Sequence, residues 1–139
     1  EMSLKPLLKP YHTNALILGT GGASKAVEYV LKKLGISFQY VSRNKSANTI
    51  NYDELDEHII HHSKLIINSS PLGMYPDIEN STDIPYDFIT DKHLLYDLIY
   101  NPEETQFLKK GKQHGAQTKN GLEMLYLQAE KSWKIWNSR

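Results

Sequence analysis

The sequence predicts a doubly wound α/β fold, a mostly parallel sheet with helices on both faces. Three observations carry this. Short apolar runs of strand length recur at residues 15–18, 38–41, 65–67 and 94–99. Stretches with helical spacing of apolar residues lie between them. The runs at 15–18 and 65–67 are continuously apolar, and those at 38–41 and 94–99 are broken only by Gln39 and Asp97, the pattern of strands covered on both faces.

Taken in order, residues 4–11 carry Pro6 and Pro10 and read as an irregular lead-in, so residues 1–14 are set apart from a domain over 15–139. The run at 15–18 ends at Gly19 and reads as a buried strand. Residues 24–34 place Ala26, Val27, Val30, Leu31 and Leu34 on one helical face, and Gly35 suits a left-handed cap. Residues 38–41 are aromatic and β-branched, a second strand. A short acidic helix is expected at 52–61, a third strand at 65–67, and a long loop over 69–84, which holds two prolines and a glycine. A fourth strand covers 94–99. Asn101-Pro102-Glu103-Glu104 reads as a helix start, with Asn as cap, Pro at the first position and acids in the first turn; that helix runs to about Gly111. Residues 116–118 read as a last short strand and 122–136 as a final helix. There Trp133 shares a face with Leu122, Leu125 and Ala129 and is expected in the core, while Tyr126 and Trp136 are expected on the surface.

Composition removes several function classes. At 139 residues and 40% hydrophobic, the chain fits one domain with a genuine core. Sixteen basic residues balance sixteen acidic ones, without the basic excess of a nucleic-acid footprint. Cysteine is absent, so disulfides and thiolate metal sites are excluded. No apolar run approaches the roughly 18–20 residues of a membrane helix, and residues 1–9 lack a signal-peptide layout. The expectation is a soluble, cytoplasmic protein. His58, His61 and His62 share helical spacing but no full ligand set accompanies them, so no metal is expected. Asn80-Ser81-Thr82 matches a glycosylation acceptor and reads as plain loop.

Gly19-Thr20-Gly21-Gly22-Ala23-Ser24 lies between a predicted strand and a predicted helix, the context in which a G-x-G-x-x-(G/A) pattern binds a dinucleotide. Gly19 permits the tight turn, Gly21 lets a pyrophosphate approach the backbone, and Ser24 is small enough for close helix–strand packing. Helix-start N–H groups then meet the phosphates. Where an NAD-preferring site carries an acid after the second strand, this chain has Ser42-Arg43-Asn44-Lys45-Ser46. No carboxylate is there to repel a 2′-phosphate. Arg43, the sole internal arginine, offers a two-pronged hydrogen bond and a flat face for adenine, and Lys45 adds a point charge. NADP is the expected cofactor.

Four blocks resemble the shikimate dehydrogenases. They are the glycine loop continuing to Lys25-Ala26; Asn68-Ser69-Ser70-Pro71-Leu72-Gly73-Met74; Tyr96-Asp97-Leu98-Ile99-Tyr100-Asn101-Pro102 with Thr105 and Phe107-Leu108; and Asn120-Gly121-Leu122-Glu123-Met124-Leu125 with Gln128-Ala129. Their order and span cover nearly the whole chain. The resemblance implies an enzyme that interconverts 3-dehydroshikimate and shikimate with NADPH, in aromatic amino-acid biosynthesis. It implies that Gly19, Thr20, Gly21, Gly22 and Ala23 bind the pyrophosphate, and that Ser42, Arg43, Asn44, Lys45, Ser46 and Ala47 surround the adenosine phosphate. Leu98 and Gly121 would border the nicotinamide through backbone atoms, with Met124 packed near the ring. Tyr100 and Gln128 would face the substrate. Two departures stand out: Ser42-Arg43-Asn44 replaces the family's frequent Asn-Arg-Thr, and Ser70 stands where threonine is usual.

The family's lysine–aspartate catalytic pair belongs to an N-terminal substrate domain that this chain is expected to lack. No catalytic residue is therefore carried over. Lys25 reads as a surface helix residue and Asp97 as the end of a strand. Binding without turnover is expected of the chain alone. A quinate/shikimate or related small-acid dehydrogenase, or a stand-alone NADP-binding module, are the competing readings.

Overall fold

A computed structural model of the chain describes residues 3–43 and 49–137. The strands are β1 (Asn14–Leu18), β2 (Ser37–Ser42), β3 (Thr49–Asn51), β4 (Leu65–Asn68), β5 (Leu94–Asp97) and β6 (Gln117–Lys119). The helices are α1 (Gly22–Leu34), α2 (Glu57–His62), α3 (Gln106–Gln113) and α4 (Leu122–Asn137). Among the described residues the strands form one sheet in the order β3-β2-β1-β4-β5-β6, every pair parallel. The doubly wound fold is the one the apolar runs predicted.

The pleat divides each central strand between two cores. Leu16 and Leu18 of β1, Val41, Ile66 and Leu95 face one side, packed on Leu55, Ile60 of α2, and Phe107 and Leu108 of α3. Ala15 and Ile17, with Tyr40, Leu65, Ile67, Leu94 and Tyr96, face the other, packed on Val27 and Leu31 of α1. Each fully buried leucine or isoleucine of this kind stabilises the fold by about 1.5–3 kcal/mol before entropy is set against it. The lead-in contributes too. It holds a 3₁₀ turn at Lys5–Leu7, buries Leu4 in the second core, and pairs the Ser3 and Tyr96 hydroxyls at 2.5 Å.

Helix α1 ends as its sequence suggests. Gly35 takes φ 74°, and the Ile36 N–H reaches back to the Leu31 carbonyl at 2.9 Å, a closure that glycine adopts without a Cβ penalty.

Several boundaries differ from those expected. Strand β3 is an addition. The acidic segment splits into a 3₁₀ turn at Tyr52–Glu54 and α2, because Asp56 takes the cap position and accepts from the Ile59 N–H. Helix α3 begins at Gln106, not after Asn101. The Thr105 side chain caps it by accepting from the Leu108 N–H, and residues 101–104 are bends. The largest correction concerns α4, which buries none of its residues. Trp133, expected in the core, is 66% exposed, as are Tyr126 (66%) and Trp136 (74%). Helical periodicity identifies an apolar face but not whether a surface exists to cover it. Among the described residues no helix is long and apolar enough to cross a membrane.

Strand order reverses between β1 and β4. The crevice beyond the carboxyl ends of those two strands is where folds of this type bind their ligands.

Candidate functional site

The glycine loop leaves β1 at that crevice. Gly19 has φ 102°, and a Cβ there would sit 3.2 Å from the Ser70 backbone N and Cβ. The positive φ favours glycine, and a side chain there would also press on Ser70. The loop is tied down by the Gly19 N–H to the Val41 carbonyl at 2.9 Å and by Ser69, whose N–H (2.9 Å) and hydroxyl (2.8 Å) both donate to the Leu18 carbonyl. The tips of β1, β2 and β4 are thereby fixed relative to one another.

Beyond Gly19 the loop opens. Thr20, Gly21, Gly22 and Ala23 are exposed, and a Cβ added at Gly21 or Gly22 would meet nothing within 4 Å. Helix α1 has no side-chain cap and no acid in its first turn, so its N-terminal dipole is not already answered by a carboxylate. Ser24 turns the other way, fully buried, its hydroxyl donating to the Gly21 carbonyl at 2.5 Å. The result is a rigid base under an open, backbone-lined cradle, the arrangement that anion binding at a helix N-terminus needs.

Ser42 ends β2 half-buried and Arg43 follows it exposed. The Arg43 carbonyl accepts from the Asn51 Nδ2 at 2.9 Å, while Asn51 also forms a capping box with Glu54. Burial pushes the neighbouring Tyr52 hydroxyl up to about 12, partly opposed by the Arg43 charge. Asn44, Lys45, Ser46 and Ala47 lie outside the described residues.

On the far side of the crevice, Leu98 follows β5, its N–H donating to the Asn68 carbonyl at 3.1 Å. Gly121 opens α4 against it. A Cβ there would fall 2.0 Å from the Leu98 carbonyl oxygen, and the Gly121 N–H donates to the Ile99 carbonyl at 3.1 Å. Asn120 holds the approach, accepting from the Leu122 N–H and donating to the Glu103 carbonyl. Met124 is half-buried, and Tyr100 and Gln128 are exposed. The Gly19–Ala23 cradle, Ser42–Arg43 and Leu98–Gly121 thus line the C-terminal edge of one sheet.

Sequence reasoning gave Asp97 no more than the end of a strand. It is fully buried. Its Oδ1 accepts from Asn68 Nδ2 (3.1 Å) and the Ile99 N–H (3.0 Å), and its Oδ2 from the Thr105 hydroxyl (2.6 Å). Burial raises its carboxyl to about 6 against the pull of those three donors. The available signal was an acid closing an otherwise apolar Leu-Leu-Tyr run.

This shift has a stability consequence. The folded chain holds the Asp97 proton more tightly than the unfolded one, so the group adds stability at low pH that is lost as pH rises through about 6. The change is about 3 kcal/mol at most for a shift of about two units. Other acids titrate in the same range, so urea midpoints of the chain and of Asp97→Asn are compared from pH 4 to 7. The Asp97 chain is expected to lose ground steadily against the variant; a flat difference would show an ordinary carboxyl.

Among the described residues no group of three histidine or acidic side chains is placed to hold a metal. His58 and His62 meet edge to face, ring centroids 4.2 Å apart.

No family model matches the chain. A shikimate dehydrogenase (NADP(+)) of Methanococcus maripaludis is 41% identical over 138 residues, covering 88% of this chain and 49% of that protein. The crystal structure of shikimate dehydrogenase from Aquifex aeolicus matches 99% of this chain and 52% of its own, with a TM-score of 0.80 and 33% identity. That of shikimate 5-dehydrogenase from Thermus thermophilus, in complex with NADP(H) and shikimate, matches 99% and 54%, with a TM-score of 0.81 and 25% identity. The chain spans about half the length of the relatives it matches.

Proposed function

We propose that this chain, related to the shikimate dehydrogenases in sequence and fold over half their length, is the NADP(H)-binding half of such an enzyme. The observation that carries the reading is the open Gly21–Gly22 cradle at the uncapped start of α1, at the switch point of the sheet, with Arg43 one strand away. The residues fit the cofactor in chemistry as well as place: backbone N–H groups for a pyrophosphate, a guanidinium for a 2′-phosphate, and no acid in the sequence over residues 42–48.

Held by this cradle and Arg43, NADP(H) would supply the hydride chemistry for interconverting 3-dehydroshikimate and shikimate. This chain's residues bind and orient it. Gly19 sets the turn, Thr20 to Ala23 receive the pyrophosphate, and Ser42 and Arg43 the adenosine phosphate; Asn44 to Ala47 are assigned to the same pocket. Leu98, Gly121 and Met124 form the wall for the nicotinamide. Tyr100 and Gln128, both exposed, are assigned to the substrate.

Proton transfer to the substrate oxygen needs a group within hydrogen-bond reach. Asp97 is buried and engaged by three donors, so it is not that group. We assign the step to a substrate-binding half outside these 139 residues.

Titrating the chain with NADPH and with NADH, followed by nicotinamide fluorescence, tests the reading. NADPH is expected to bind more tightly, and shikimate with NADP is expected to give no turnover. Binding of neither nucleotide would overturn the assignment; equal binding of both would remove the NADP preference and leave the dinucleotide fold.

A further inference from the structure

Cofactor binding leaves the buried carboxyl of Asp97 without a task. Asp97 lies at the carboxyl end of β5, across the switch point from Arg43. A dinucleotide crossing this edge with its adenosine end at β2 carries its nicotinamide end over β4 and β5.

The Asp97 carboxylate gathers three separate segments there. Asn68 ends β4, Ile99 belongs to the turn after β5, and Thr105 caps α3. The same turn presents the Leu98 carbonyl against which Gly121 packs, and Gly121 in turn accepts the first hydrogen bond of α4 from the Leu125 N–H at 3.0 Å. The direction in which α4 leaves the sheet, and with it Met124 and Gln128, is therefore set through the turn that Asp97 holds. The Gly19 side has its own anchors, the two Ser69 bonds to the Leu18 carbonyl, and does not depend on the acid alone.

We propose that Asp97 is a positioning residue for the nicotinamide end of the cofactor, its two oxygens fixing Asn68, the Leu98–Ile99 turn and Thr105 as one wall. The inference rests on the dinucleotide reading above and deepens it.

Only a carboxylate satisfies this set. Asparagine keeps one acceptor for Asn68 and Ile99 but turns an NH₂ group toward Thr105. The Thr105 hydroxyl already accepts from the Leu108 N–H; accepting a second time, it leaves its own proton buried without a partner, an unfavourable arrangement. The wall then shifts while the shape of residue 97 is kept.

The test uses two ligands. Adenosine 2′,5′-bisphosphate reports the adenosine side alone, and NADPH reports both ends. For Asp97→Asn and Thr105→Val, NADPH is expected to bind about fivefold more weakly with a reduced fluorescence enhancement, the bisphosphate within about twofold of the parent chain. Thr105→Ser keeps the hydroxyl and is expected to restore both readouts, whereas a general loss of fold would weaken both ligands together. Equal losses for the two ligands, or NADPH binding and fluorescence unchanged in both variants, would overturn the positioning role. Failure of the parent chain to bind either ligand would overturn the dinucleotide reading and this inference with it.

Discussion

Arg43→Ala is expected to weaken NADPH binding by roughly tenfold or more and to leave NADH binding within about twofold. A charged hydrogen bond lost to a phosphate is worth about 1.5–3 kcal/mol, and about 1.4 kcal/mol is tenfold. Arg43 is exposed, so solvent screening places the effect toward the lower end. The backbone at this position is not free to compensate, because Asn51 holds the Arg43 carbonyl and β3 pairs Asn51 with Ser42. Arg43→Lys keeps the charge and loses the planar fork, so an intermediate preference is expected. Raising the salt concentration is expected to narrow the gap between NADPH and NADH for the parent chain and not for Arg43→Ala. Parallel losses for both nucleotides would place Arg43 away from the 2′-phosphate.

The main lines of the fold were readable because they rest on local signals. Short, largely apolar runs marked β1, β2, β4 and β5, and Gly35 marked the end of α1. Strand β3 escaped because Thr49-Ile50-Asn51 is short and mostly polar, held by pairing with β2 rather than by its own burial. Helix α3 was misplaced because Asn101-Pro102-Glu103-Glu104 satisfies every local rule for a helix start. Thr105 takes the cap instead because its hydroxyl is anchored to Asp97, a partner eight residues away that no local rule weighs. Trp133 was misplaced for a related reason: periodicity puts it on an apolar face of α4, and the described residues offer that face no core.

The candidate site divides the same way. Its cradle and Arg43 announce themselves by glycine spacing and by a missing acid. The Asn68–Asp97–Thr105 set does not, since Asn68 and Asp97 meet across 29 positions of sequence. Only the parallel register of β4 and β5, which sets Asn68 beside Asp97, brings them together.

Gly121→Ala is expected to be the most damaging single methyl group on this surface. Its Cβ would lie 2.0 Å from the Leu98 carbonyl oxygen and 2.6 Å from the carbonyl carbon. Both are backbone, so no rotamer change relieves the contact. Either the start of α4 or the turn after β5 must move. Overpacking of this kind costs about 1–3 kcal/mol, and a backbone clash belongs at the upper end, ~10 °C in melting temperature at about 4 °C per kcal/mol. The moving parts are the proposed nicotinamide wall, so NADPH fluorescence enhancement should fall in step. Gly22→Ala is the informative contrast. That position is helical and its Cβ would meet nothing within 4 Å, so the melting temperature should hold or rise slightly as the unfolded chain loses freedom. Gly22 nevertheless lies in the stretch proposed to receive the pyrophosphate, so a methyl group there is expected to lower NADPH affinity. If Gly22→Ala binds NADPH as well as the parent chain, the cradle is not where the phosphates sit. If Gly121→Ala melts unchanged, the interlock between α4 and the β5 turn is looser than 2.0 Å allows, and the wall argued for Asp97 loses its rigid support.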